Sequence, residues 1–239
     1  MDGTAARGLR QRLESLAAAG VEVLPRTRPA PPPAAGDRSP PRADAVVAAG
    51  IEQRNAALAV LRDEVAACTR CAELAAARHR TVFGAGPADA RLCFFGEAPG
   101  ADEDASGEPF VGRAGQLLTK IIEACRLDRG QVYIMNVLKC RPPGNRAPQA
   151  DEVDHCRGYF ERQLEIIRPE FICCLGTSAA QALLRTGEPI GKLRRRWFTH
   201  GSARVICTYH PSYLLRNPAA KRDVWDDMKF LMAALGVEL

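Results

Sequence analysis

Four short apolar runs between residues 91 and 208, separated by stretches of helical periodicity, limit the possible folds more than any other feature. They are Arg91–Phe95, Val132–Val137, Phe171–Leu175 and Arg204–Thr208. Each is too short for a helix and apolar without alternation, the pattern of a strand covered on both faces. The intervening segments place apolar side chains three and four apart. Leu117, Leu118, Ile121 and Ile122 do so within Gly112–Cys125, and Val153, Cys156, Phe160, Leu164 and Ile167 within Gln149–Ile167. Further helical stretches run through Leu184 and over Val224–Leu235. Strand and helix in alternation predict an α/β fold, a mainly parallel sheet with helices on both faces. Ligands of such sheets gather beyond the carboxyl ends of the strands. Function is therefore expected in the loops after Phe95, Val137, Leu175 and Thr208.

The chain before these strands reads differently. Residues 5–19 form an Arg- and Ala-rich helical pattern, and residues 25–42 hold seven of the 17 prolines. A segment so poor in donors and apolar side chains builds no core. A helix is predicted over 44–66, with Ile51, Leu58, Leu61 and Val65 on one face. The expected organisation is a flexible N-terminal extension over residues 1–45 and a folded domain over 46–239. With 46% hydrophobic and 26% charged residues, the chain is neither collagen-like nor disordered throughout. No apolar run approaches the ~20 residues of a membrane-spanning helix. The N-terminus shows no apolar core followed by a small-residue cleavage site. A cytoplasmic, bacterial-type monomer without membrane association is expected.

Lys and Arg number 33 against 28 Asp and Glu, a net charge of +5, and the excess is clustered. Lys192, Arg194, Arg195, Arg196, Arg204, Arg216, Lys221 and Arg222 fall within residues 191–222 with no acid among them, and Lys139, Arg141 and Arg146 form a second knot. Such clusters attract polyanions, nucleic acid first; a solvated basic surface is the plainer alternative. The nine cysteines are not read as a disulfide framework, because a reducing compartment is expected. Cys93, Cys173, Cys174 and Cys207 lie in the strand-like runs and Cys125 near a helix end, where buried small apolar side chains belong. Cys68, Cys71, Cys140 and Cys156 are left over.

The first strand runs into Gly96-Glu97-Ala98-Pro99-Gly100, and then Pro109-Phe110-Val111-Gly112-Arg113-Ala114-Gly115. Glycines there let backbone approach a ligand, and Glu97 stands where catalytic carboxylates usually sit. Phosphate-loop motifs are absent. Gly187–Lys192 is too short and lacks a following Ser or Thr, and Gly84-Ala85-Gly86 is only a fragment of a dinucleotide fingerprint. A nucleotide-triphosphate enzyme is thus disfavoured. Asn136 closes the second strand ahead of Lys139-Cys140-Arg141-Pro142-Pro143-Gly144-Asn145-Arg146. The fourth leads into Tyr209-His210-Pro211-Ser212-Tyr213-Leu214-Leu215-Arg216. Taken alone, Asn136 also suits a turn and His210 a structural histidine.

In order and without large gaps, these motifs resemble the iron–sulfur uracil-DNA glycosylases, family 4, from about Cys68 to Leu235; residues 1–60 lie outside the resemblance. It implies a three-layer α/β/α sandwich with a central four-stranded parallel sheet. It implies an enzyme that flips uracil out of DNA and hydrolyses its N-glycosidic bond, leaving an abasic site. Cys68, Cys71, Cys140 and Cys156 become the ligands of a [4Fe–4S] cluster. Structural zinc uses the same ligands, but usually in two short Cys-x2-Cys knuckles, and Cys140-x15-Cys156 is much wider. Glu97, Asn136 and His210 take catalytic roles, with Gly96, Ala98, Glu103 and Phe110 completing the base site. Leu214 would wedge into the gap left by the flipped base, while Arg216, Arg141, Arg146, Arg195 and Arg196 hold phosphates. Better-known uracil glycosylases carry a water-activating Asp where this chain has Ala98, which leaves Glu97, Glu103 or water and backbone for that task. One relative cross-links itself to DNA through a histidine in an insert after the third cysteine; residues 141–148 hold neither, so turnover is expected. Two alternatives remain: a non-catalytic or polymerase-associated DNA-binding module of the same fold, and an iron–sulfur electron carrier, which the clustered basic residues disfavour.

Overall fold

A computed structural model describes residues 43–239, together with Arg7, Arg10, Gln11, Glu14, Ala17 and Ala18, which are helical. The expected Pro-rich linker, and most of the helix expected over 5–19, lie outside the described residues. Ala43–Leu239 is one compact unit. Its elements are helix α1 (Ala43–Ala66), α2 (Ala72–Ala77), strand β1 (Leu92–Gly96), α3 (Ala101–Ser106), α4 (Arg113–Ala124), β2 (Tyr133–Asn136) and α5 (Ala150–Ile167). They continue with β3 (Phe171–Leu175), α6 (Thr177–Leu184), α7 (Ile190–Leu193), β4 (Phe198–His200), β5 (Ala203–Thr208), α8 (Pro211–Arg216) and α9 (Lys221–Leu235).

The sheet has the order β2-β1-β3-β5-β4. Four strands are parallel, as the apolar runs predict, with Phe94 opposite Ile134 on one side and Cys173 on the other. The fifth, β4, is a three-residue antiparallel edge strand pairing Phe198 with Val205. Its residues are only partly covered, so no continuous apolar run announces it. Every residue of β1, β2 and β3 is buried, because helices cover both faces. Alternate side chains divide between two cores. Cys93, Phe95, Tyr133, Met135, Ile172 and Cys174 pack with residues of α1, α2, α5 and α6. Leu92, Phe94, Ile134, Phe171, Cys173 and Leu175 pack with α4, α8 and α9. This is the three-layer sandwich implied by the resemblance. Cys93, Cys173, Cys174 and Cys207 are fully buried and Cys125 nearly so, as their apolar settings predict. No described helix is long and apolar enough to cross a membrane.

Parallel strands β1, β2, β3 and β5 all end on one edge, so four loops meet there. Backbone bonds continue the ladder past the strands: the Val137 N–H donates to Gly96 O and the Leu138 N–H to Glu97 O, at 2.9 and 3.1 Å. The loops are thereby held at fixed spacing.

Candidate active site

A cavity of about 820 Å³ opens at that edge and takes its walls from all four loops, including Glu97, Phe110, Asn136, Ser178 and His210. Gly96 and Asn136 are register partners on β1 and β2. A Cβ on Gly96 would drive into Asn136 Oδ1 and the Phe110 ring, so only glycine lets those two groups meet there. Asn136 is 1% exposed, and its Oδ1 accepts from no described donor. A buried acceptor left without a donor costs about 1–3 kcal/mol, a cost a ligand N–H can remove.

His210 ends the segment after β5. Its Nδ1 accepts from the Ser212 N–H at 3.1 Å and lies 2.8 Å from Ser212 Oγ. With Nδ1 occupied as an acceptor, the neutral ring carries its proton on Nε2. Burial, assisted by the Arg216 charge, pushes the imidazole down to about 4. The ring is therefore neutral near pH 7 and presents an N–H donor. It lies 5.6 Å from the Phe110 ring, centroid to centroid, so an aromatic wall, an amide and an imidazole converge.

The two acids part company. Glu97 is half-buried at the cavity wall, and its carboxylate takes no hydrogen bond from any described residue. Glu103 is buried and fully engaged: Oε1 accepts from the Val111 and Gly112 N–H groups, each at 2.9 Å, and Oε2 from the Gly100 N–H at 3.0 Å. It clamps the loop instead of facing the cavity as a free group. Ala98 and Gly96 also sit at this edge, Ala98 in the cavity wall.

Leu214 does not reach the surface. It is 0% exposed and belongs to the core beneath α8, so it is unavailable as a wedge. Its neighbour Leu215, 44% exposed, stands on the cavity rim with Tyr213 and Arg216. The helical turn of α8 (Pro211–Arg216) directs adjacent side chains about 100° apart, which a linear motif does not reveal. Lys139 is corrected too: it is 1% exposed, and its Nζ donates to Asn136 O at 2.8 Å and Phe83 O at 3.2 Å. It braces the strand end and cannot track phosphates. Arg146 borders the cavity but pairs with Glu152 and Glu73 at 2.6 and 3.0 Å. The Arg141 Nε donates to Asn145 Oδ1 at 2.7 Å. Arg195, Arg196 and Arg216 are exposed, Arg195 and Arg196 outside the cavity wall.

Cys68, Cys71, Cys140 and Cys156 converge on a second, smaller pocket shared with Leu74, Arg78, His155 and Tyr159. Among the described residues no three His, Cys, Asp or Glu side chains gather tightly enough for a single metal ion. All four cysteines nonetheless line the one pocket. Arg78 Nη1 donates to Cys140 Sγ at 3.1 Å, and His155 Nδ1 lies 3.3 Å from Cys71 Sγ. Burial first, then the neighbouring thiols and Glu152, pushes the Cys71 thiol up to about 11. Four thiolates there repel one another unless a cationic group lies between them. Sequence patterns single out the four cysteines but not Arg78, His155 or Ser212, whose partners become visible only in three dimensions.

A family model described as the uracil DNA glycosylase superfamily matches residues 83–229. The chain is 42% identical over 176 residues to the type-4 uracil-DNA glycosylase of Archaeoglobus fulgidus, spanning 70% of this chain and 87% of that protein. It is 41% identical over 187 residues to the type-4 enzyme of Saccharolobus solfataricus, spanning 74% and 86%. Against the type-4 enzyme of Thermotoga maritima it is 40% identical over 183 residues, spanning 74% and 93%. With the glycine-permitted meeting of Asn136 and Phe110, the neutral His210 and most of each relative covered, this chain belongs to the uracil-DNA glycosylase superfamily, among its type-4 members.

Proposed function

We propose that the protein removes uracil from DNA by hydrolysing the N-glycosidic bond, leaving an abasic site. The observation that carries this reading is the juxtaposition of a buried, unpartnered Asn136 amide with a His210 ring fixed as an Nε2–H donor. Stacking in the duplex hides the bond, so the nucleotide is flipped into the cavity at a cost of a few kcal/mol. Phe110 supplies the face on which the base stacks. Asn136 Oδ1 accepts from uracil N3–H while its Nδ2 donates to O4; cytosine presents the reverse pair and leaves both groups unsatisfied. As the bond to the sugar lengthens, negative charge grows on the base and positive charge on the sugar. His210 Nε2–H donates to O2 and stabilises the departing anion. Glu97, with its carboxylate unengaged, faces the sugar cation and orients the attacking water. Leu215 fills the gap in the duplex, and Arg216, Arg195 and Arg196 meet phosphates, whereas Arg194 is taken up by Asp227 and Asp223.

Cys68, Cys71, Cys140 and Cys156 hold a [4Fe–4S] cluster in this proposal. Four thiols around one pocket, with an Arg78 N–H donated to Cys140 and the His155 ring within 3.3 Å of Cys71, fit that donor set. When bound, the cluster supplies a cross-link between the segment before α2, the loop after β2 and helix α5. The folded domain is placed at 46–239, acting as a monomer on DNA in the cytoplasm.

Base release from matched oligonucleotides carrying uracil, cytosine, thymine or hypoxanthine tests the reading. Uracil release is expected, and DNA binding without release of any base would refute it in favour of a non-catalytic module. Asn136→Asp sharpens the test. A carboxylate accepts but does not donate, so uracil loses its bond at O4 while cytosine gains an acceptor for its amine. The uracil-to-cytosine ratio must fall; an unchanged ratio in a folded variant makes Asn136 a turn residue.

A further inference from the structure

Phe110 adopts φ +54°, a left-handed conformation that a bulky residue rarely takes and that surrounding structure must hold in place. Glu103 restrains the residues that follow it, through the N–H groups of Val111 and Gly112. Gly115, on the first turn of α4, presses so close that a Cβ there would overlap the Phe110 backbone. The residue ahead of Phe110 is held by a side chain outside every motif discussed above. Arg129, half-buried in the 3-10 turn before β2, donates from Nη2 to Pro109 O at 2.5 Å. Its Nη1 donates to Thr119 Oγ1 on α4 at 3.3 Å. The guanidinium therefore ties the carbonyl before Phe110 to the middle of α4, while Glu103 ties the amides after it to α3.

We infer that Arg129 is a positioning residue for the base-stacking wall, holding Phe110 in its left-handed conformation from the side opposite Glu103. A planar fork with several donors can bridge a loop carbonyl and a helix hydroxyl at once, which a lysine ammonium on a flexible stem does poorly. Pro109 has no N–H of its own to anchor the loop, so its carbonyl is the one backbone group it offers. The inference rests on the proposal that Phe110 stacks on the base, and the experiment separates the two.

The readout is inhibition by free uracil, which reports contact with the base alone, beside affinity for abasic-product DNA, which has no base to stack. Arg129→Met keeps the apolar stem and loses the fork. It is expected to weaken uracil inhibition about tenfold, equivalent to about 1.4 kcal/mol, with product-DNA affinity unchanged. Arg129→Lys should recover part of the loss. Phe110→Ala should weaken uracil inhibition at least as much, and Phe110→Ala with Arg129→Met no further, because Arg129 acts only through that ring. If Arg129→Met does not fold, Thr119→Val removes the second anchor alone, with an expected loss of about two- to threefold. Wild-type uracil inhibition in the folded Arg129 variant, or in Thr119→Val where that serves, overturns the inference provided Phe110→Ala weakens it. Full additivity in the double variant also overturns it. If Phe110→Ala itself binds uracil normally, the stacking proposal fails and takes the inference with it.

Discussion

His210 gives the sharpest test of how the site handles charge. Its ordinary value of 6.5 falls to about 4, mainly through burial and secondarily through Arg216. The ring is thus neutral in the folded protein across a range where the unfolded chain takes up a proton. The associated stability is complete above pH 6.5 and is lost as pH falls towards 4, because protons then bind the unfolded state first. The full difference is about 3 kcal/mol, and the loss between pH 7 and 5 about 2 kcal/mol. Glutamine in its place is neutral at every pH. Urea unfolding of wild type and His210→Gln at pH 7, 6 and 5 therefore isolates this group: other acids and histidines titrate in both, and the difference between the curves should shrink by about 2 kcal/mol. The same neutrality has a kinetic consequence. Single-turnover release of uracil should stay level from pH 7.5 to 5.5, since the Nε2–H donor is present throughout. A rate that climbs as pH falls through 6.5 would mean that an imidazolium does the work. Parallel loss of stability in the two proteins would mean that His210 titrates as in solvent. Either result refutes the argument.

Cys156→Ala should reduce bound iron from about four per chain and lower solubility with it; iron and acid-labile sulfide analysis checks this, and zinc in place of iron under ample iron supply would refute the cluster. Arg195→Ala with Arg196→Ala should flatten the dependence of DNA affinity on log salt by about 0.9 per lost phosphate contact on duplex without altering the base released, as read by anisotropy titrations. Leu214→Ala and Leu215→Ala should separate cleanly. The first empties core volume and costs about 2–5 kcal/mol in unfolding experiments; the second should leave Tm nearly unchanged and slow release from duplex more than from single strands.

The layers of this fold were legible because the strands are covered on both faces. That burial forces continuous apolar runs such as Phe171–Leu175, and the predicted span of β3 matches the structure residue for residue. Elements without that constraint were not visible. Helices α2, α3 and α8 are six residues each, too short to show a period, and β4 is a partly covered edge. At the site the same distinction holds. Motifs pointed to Phe110, Asn136 and His210, and the structure brings all three to one cavity, with Phe110 and Asn136 meeting over Gly96 and His210 against Gly176. They did not reveal what each polar group bonds to. Glu103 lies only six residues from Glu97, yet one carboxylate is consumed by three backbone amides and the other is not. Lys139 lies in a basic knot on paper, and only the end of β2 over Phe83 shows why it is buried. Charge clustering along a sequence counts residues and says nothing of which side chains are already paired.

The short segment from Asn136 to Cys140 links the two pockets physically. Asn136 forms the floor of the larger cavity, while its carbonyl accepts from Lys139 Nζ, a side chain that turns back under the strand end. Cys140, the next residue, faces the cysteine pocket, and its sulfur accepts from Arg78. Arg78 in turn donates from Nη2 to Ala66 O at the end of α1. Cys140 and Asn136 are thus separated by three residues, one of which, the buried Lys139, bonds back to the Asn136 carbonyl. The amide must hold its donor and acceptor in one orientation to tell uracil from cytosine. A cluster bound at Cys140 would hold that orientation from one end of the segment, while Phe110 and the Asn136 amide meet over Gly96. On this argument a cluster held by the four cysteines would serve discrimination by holding the strand end still, and would need no change of oxidation state to do so.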